Sequence, residues 1–224
     1  VLLIVNTATG CGFTPQYGGG ACQMGSTTYN AAIRSGLTIV TFYHHSIPSE
    51  YIPIGLDATL DSPTAKSAGK DLVLRNDTTT PFYIVSYIEP TNQTVTVEIY
   101  GTLPVNASGQ QIIYNYESKR TGRYGSPSDK TVVVSSPYEC PDGTVLSYGG
   151  LESYTYSNSR LGTTAQVWQI TLSLDGTELT RTEYESAKYP PINGTTYVLE
   201  TLTPSESPSE SASEPPATTT TTTG

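Results

Sequence analysis

The chain has 224 residues, enough for one substantial core or two small ones. Only 14% are charged and the formal net charge is −9, with 11 lysines and arginines in all, so no basic stripe exists for a nucleic-acid backbone or an anionic lipid surface, and neither partner is expected. The cysteines, Cys11, Cys22 and Cys140, are odd in number and lack a C-x-x-C pair, which announces neither a disulfide framework nor a thiolate zinc site.

Abundant Thr and 17 Tyr favour half-buried pleated surfaces and predict a mostly β chain. The apolar run at residues 1–5 is too short for a signal-peptide core, and no run approaches the roughly 18 apolar residues of a membrane span. The start therefore reads as a fragment boundary, with any signal or anchor outside it. Ser26, Thr27 or Thr28 can cap a short helix over residues 29–35 that stops at Gly36. Strands are expected at 37–43, 71–75, 82–88 and 95–100, punctuated by Pro81, Pro90 and the turn pair Asn76-Asp77. This half reads as α+β with one short helix and an antiparallel sheet. A polar, glycine-containing linker is expected over 104–130. A mostly β module follows at 131–202, its clearest element a hairpin in which 165–172 turns at Asp175-Gly176 into 178–184. Residues 203–224, built from Pro, Ser, Glu and Thr, have too little apolar surface to offset chain entropy and predict a disordered tail.

One stretch carries candidate chemistry. Gly18-Gly19-Gly20-Ala21-Cys22-Gln23 leads into the helix and puts Cys22 near its N-terminus, where free amides and the helix dipole favour a thiolate. Tyr43-His44-His45-Ser46 ends the next strand, and Asp57 follows in Gly55-Leu56-Asp57-Ala58-Thr59. Cys22 as nucleophile, His45 as base and Asp57 as orienter form one reading; Gly20, Gln23, Ser26, Tyr29 and Ser46 around them are the candidate binding residues. The alternative is structural: a buried cysteine, histidines capping carbonyls and a turn aspartate. Adjacent histidines on a strand point to opposite faces, so no metal site is expected, and no motif calls for a cofactor.

The run Gly18-Gly19-Gly20-Ala21-Cys22-Gln23-Met24-Gly25-Ser26-Thr27-Thr28-Tyr29-Asn30-Ala31-Ala32 resembles the signature of the VanW family. Further matches follow in order: Gly36-Leu37-Thr38-Ile39-Val40, His45-Ser46, the stretch from Tyr51 to Thr59, Asp71-Leu72 and Glu98-Ile99-Tyr100-Gly101. Met24-Gly25 departs from the commoner small apolar residue and Ser. The resemblance covers residues 17–103 and implies an extracytoplasmic bacterial envelope protein, at the cell surface or secreted, with peptidoglycan or a cell-wall glycan as partner. It leaves open whether the domain is catalytic; the order Cys, His, Asp is similar to that of transglutaminase-like and papain-like thiol enzymes, which would act on peptidoglycan peptides. The later β module is somewhat similar to the G-five domain, in which case Tyr154, Tyr156 and Trp168 would stack on sugars.

Residues 1–16 carry a different likeness. Val5-Asn6-Thr7-Ala8-Thr9-Gly10-Cys11-Gly12-Phe13-Thr14-Pro15-Gln16 resembles the peroxidatic-cysteine segment of glutathione peroxidases, which would make Cys11 a peroxide-reducing thiol. The family's downstream Gln and Trp-Asn motifs have no counterpart here, so peroxidase activity is not expected.

Overall fold

The structure is a computed structural model that describes the backbone of residues 2–9 and, in full, residues 20–63, 68–92 and 94–200. Cys11, Gly18, Gly19 and the 203–224 tail lie outside the described residues. The chain divides into two compact units, the first comprising Val1–Lys130 and Ser157–Thr195 and the second Thr131–Tyr156 with the chain from Thr196 on.

Unit 1 holds the one helix among the described residues, α1 (Ala21–Ser35), with strands β1 (Leu2–Thr9), β2 (Thr38–Thr41), β3 (Val73–Arg75), β4 (Tyr83–Glu89), β5 (Thr94–Gly101) and β6 (Ile113–Tyr124). The helix begins earlier than the capping pattern predicts. Gly20 starts it in the left-handed conformation at φ 86°, and Gly36 ends it at φ 79°, where Leu37 N–H reaches back to the Ala32 carbonyl in a Schellman-type closure. Ser26 and Thr27, read as caps, sit inside the helix and are buried. Their hydroxyls are satisfied there: Thr27 donates to the Gln23 carbonyl at 2.7 Å, and Ser26 donates to the Ala58 carbonyl at 3.0 Å. A polar helix can be buried this way because each hydroxyl has a backbone partner and carries no unmatched desolvation penalty.

One side of α1 packs Ala31 and Ala32 with Leu37 against Val97 and Ile99 of β5, the central strand of the sheet β1-β5-β4. The backbone pairing of β1 with β5 is antiparallel from Leu2↔Gly101 to Thr9↔Thr94. The other side packs Tyr29 and Ile33 with Ile52, Leu56, Ala58, Tyr116 and Val167. Those last two belong to a second antiparallel sheet, β12-β11-β6, formed with β11 (Gly162–Leu172) and β12 (Glu178–Tyr189). Residues 54–60 are thus clasped between α1 and this sheet. On one side Asn30 donates to the Leu56 carbonyl at 2.6 Å, and on the other Tyr189 accepts from Gly55 N–H at 2.8 Å.

The expected linker is therefore not a linker throughout, since β6 runs through it for 12 residues. Its second half, Ser-Lys-Arg-Thr-Gly-Arg, is polar because β6 is an edge strand and one of its faces meets solvent. The hairpin of β11 and β12 forms as expected and joins β6 in unit 1. Unit 2 contains β8 (Tyr138–Glu139), β9 (Val145–Leu146) and most of β7 (Asp129–Val134), β10 (Ser153–Ser157) and β13 (Gly194–Leu199), with a sheet ordered β10-β13-β7 and the small ladder β8-β9. Tyr197 stacks on Tyr138 at 5.2 Å and meets Tyr156 edge-on, while the Tyr154 hydroxyl donates to Asp142 at 2.7 Å. No helix among the described residues is long and apolar enough to cross a membrane.

Candidate functional site

The clasped segment carries Asp57, which is fully buried. A carboxylate out of water must be surrounded by donors, and this one is. Its Oδ2 accepts the backbone N–H of His45 at 2.8 Å, while its Oδ1 accepts the Tyr189 hydroxyl and lies 3.3 Å from Nδ1 of His44. These donors hold the Asp57 pKa below the usual carboxylate value although burial alone would raise it.

His44 is the hub. Its Nδ1 faces Asp57 and its Nε2 lies 2.9 Å from Glu185 Oε1, so the protonated ring donates to two carboxylates at once. Burial pulls its pKa down, but the hydrogen bonds and charges of Asp57 and Glu185 outweigh that and raise it to about 9. The ring also stands edge-on to Phe42, at 5.1 Å, and Phe42 stacks on Tyr29 at 4.7 Å. Tyr29 completes the circuit, its hydroxyl donating to Glu185 Oε2 at 3.5 Å.

His45 faces the other way, as neighbours on an extended chain do. Its Nε2 pairs with the Tyr51 hydroxyl at 3.2 Å, and burial is the main cause of its lowered pKa. Cys22 is the second residue of α1, with its sulfur 3.3 Å from Thr59 Oγ1 and 3.4 Å from both the N–H and the carbonyl of Leu60. The structure therefore joins Asp57 to His44 by its ring and to His45 by its backbone, and ties Cys22 to the chain after Asp57. Among the other sequence candidates, Gln23, Ser26 and Tyr29 are buried on α1, Gly20 is its N-cap, and Ser46 is exposed. Glu185 and Tyr189 were not legible as partners of Asp57 from sequence: they come from β12, more than a hundred positions away, and only their place on an inward-facing strand would have marked them. Among the described residues no group of three or more His, Cys, Asp or Glu could hold a metal ion.

Tyr189 also floors a cleft of about 790 Å³ that opens beside the cluster. Ser46, Ser49, Glu50 and Ile54 line it together with residues of β6 and of the chain leading into β11. The volume suits a ligand of small-molecule or oligosaccharide size.

The family model described as VanW like protein matches residues 4–100. Residues 4–100 are a VanW-like segment. The match begins at Ile4, so residues 4–16 of the expected peroxidase-like fragment 1–16 fall within it. It ends before β6, and Glu185 and Tyr189 therefore lie outside the VanW-like segment. A stretch of 43 residues is 51% identical to an uncharacterized protein, YoaR, of Bacillus subtilis (strain 168). That stretch is 19% of this chain and 14% of the relative's length. No solved structure matches the chain.

Proposed function

We propose that this is an extracytoplasmic, VanW-type protein of a bacterial cell envelope that binds or organises peptidoglycan or its glycans through the cleft floored by Tyr189. The observation that carries the reading is the coupling of that cleft to the Asp57 cluster: Tyr189, a buried residue at the base of the cleft, has its hydroxyl fixed between Asp57 and Gly55 N–H. Tyr189 is buried, so it acts as a fixed floor under the cleft, and the less buried Ser46 and Ser49 supply hydroxyls that can meet a sugar. The VanW likeness supports the envelope setting.

Binding rather than thiol chemistry is favoured because the Cys22 sulfur is engaged with Thr59 and Leu60, and the His45 ring with Tyr51. The test is co-sedimentation of the purified chain with isolated peptidoglycan sacculi, beside the variant Ser46→Trp. Ser46 is exposed and lines the cleft, so an indole there blocks ligand without disturbing the core. Retention of the native chain and at least tenfold weaker retention of the variant support the reading. Equal retention of both, or of neither, rejects it.

A further inference from the structure

The cleft is lined by Arg120, Arg123 and Arg160, three of the 11 basic residues in a chain of net charge −9. Their arrival at one place is a product of backbone geometry. Arg120 and Arg123 are three positions apart on β6, a spacing that in a regular strand sends side chains to opposite faces. The ladder with β11 is irregular here: Thr163 pairs with Arg123 and Thr164 with Gly122, but Ala165 pairs with Arg120, leaving Thr121 as an extra residue. Such a bulge rotates the strand by one position. Thr163 and Ala165 share one face of β11, so their partners Arg123 and Arg120 share that face, where both remain exposed. On the far side of β11 the same face carries Tyr189 and Ala187. Arg160 is brought to the rim by a separate device, a two-way backbone bridge between Arg160 and Ile192.

None of the three arginines is engaged in an ion pair among the described residues; the arginine ion pairs there use Arg75 and Arg181. A guanidinium that stays charged at any accessible pH, lines a concave site and has no internal carboxylate partner is a donor fork waiting for an external anion. Glu50 lines the same cleft and gives it a negative group as well. The mixture disfavours a dense polyphosphate and suits a ligand bearing both carboxylate and ammonium groups.

The geometry points to a carboxylate-reading site: Arg120, Arg123 and Arg160 bind the anionic groups of a peptide-bearing wall fragment, with Glu50 facing its ammonium group. This rests on the cleft being the wall-binding site, and it names the part of the wall that is read, the peptide rather than the bare sugar.

Titration calorimetry on the full chain tests it with four probes: a disaccharide-tetrapeptide muropeptide with free carboxylates, its methyl-esterified form, a neutral chitin tetrasaccharide, and soluble wall teichoic acid. The free muropeptide is expected to bind at least tenfold more tightly than the esterified one. Arg120→Gln with Arg123→Gln should remove that preference, as should Arg160→Gln alone in part. All three positions are exposed, so the variants should keep the native melting temperature. Equal affinity for the free and esterified muropeptides, or for the chitin oligomer, overturns the carboxylate inference and leaves wall binding intact. Tighter binding of teichoic acid overturns it in favour of phosphate. Sacculi that fail to retain the chain at all would reject the proposed function itself, a separate result.

Discussion

Asp57 accepts a hydrogen bond from the hydroxyl of Tyr189, 132 positions further along the chain, and the same hydroxyl accepts the N–H of Gly55. One oxygen thus ties β12 to the segment clasped against α1. Tyr189→Phe removes it while keeping the ring, so the buried Gly55 N–H loses its acceptor and the buried Asp57 loses a donor. The expected loss is about 2–3 kcal/mol, since stranded buried partners carry their full desolvation penalty. Urea denaturation should show a lower midpoint with an unchanged slope. A variant as stable as the native chain would contradict the assignment of Tyr189 as an anchor.

The cluster also fixes how stability depends on pH. His44 is raised to about 9, so its contribution is complete below the ordinary imidazole value of about 6.5 and is lost as pH rises through about 9. Asp57 is shifted down, so its contribution is present above the ordinary carboxylate value of about 4 and fades as pH falls through its depressed value. Both are therefore whole between roughly pH 4 and 6.5. The alkaline loss should be on the order of 3 kcal/mol. Melting curves from pH 5 to 10 should show it, and His44→Gln should flatten the alkaline limb while lowering stability at pH 6. An alkaline limb of the same depth in His44→Gln would assign the loss to another group.

Gly55 sits at φ 84°, and a Cβ there would lie 2.8 Å from Val167 Cγ2 and 3.4 Å from Ala187 Cβ. Both the left-handed backbone and the close approach to the sheet require glycine. Gly55→Ala is expected to destabilise by roughly 2–4 kcal/mol and to weaken sacculus binding, because Gly55 N–H helps orient Tyr189. Thermal melting and co-sedimentation together check this; a neutral effect on both would show that the clasp has slack.

What the sequence displays and what it conceals follow from range. Strands such as β5, with Val95, Val97 and Ile99 alternating, and the hairpin of β11 and β12 announce themselves through local period and turn chemistry. Asp57 and the adjacent histidines are also visible as a polar group inside an apolar stretch. Which histidine ring meets Asp57 is not visible, because neighbours on an extended chain face opposite ways and only the tertiary packing selects one. Bulges are hidden too. The extra residue at Thr121 places Arg120 and Arg123 together, and a second register shift leaves Tyr184 unpaired between Glu185 and Glu183. A period-2 reading assigns such residues to the wrong faces and makes the polar half of β6 look like a linker. The buried hydroxyls of Ser26 and Thr27 misplace the helix start for a related reason: their backbone partners are supplied by folding and leave no trace in local pattern.

Cys22 separates the binding reading from thiol chemistry most directly. Its sulfur touches Thr59 Oγ1 and both backbone groups of Leu60, a weak set of contacts that fastens the start of α1 to the chain beyond Asp57. Cys22→Ala removes a small, half-buried sulfur and frees the Leu60 N–H, with an expected loss of about 1–2 kcal/mol. Sacculus retention should change by less than twofold, because Cys22 is not among the residues that line the cleft. Cys22→Ser, which restores a donor and acceptor at nearly the same place, should recover part of the stability. If instead Cys22→Ala leaves stability and sacculus retention untouched but abolishes release of a peptide from sacculi by the native chain, followed by mass spectrometry of the supernatant, the thiol is a nucleophile and the binding reading gives way.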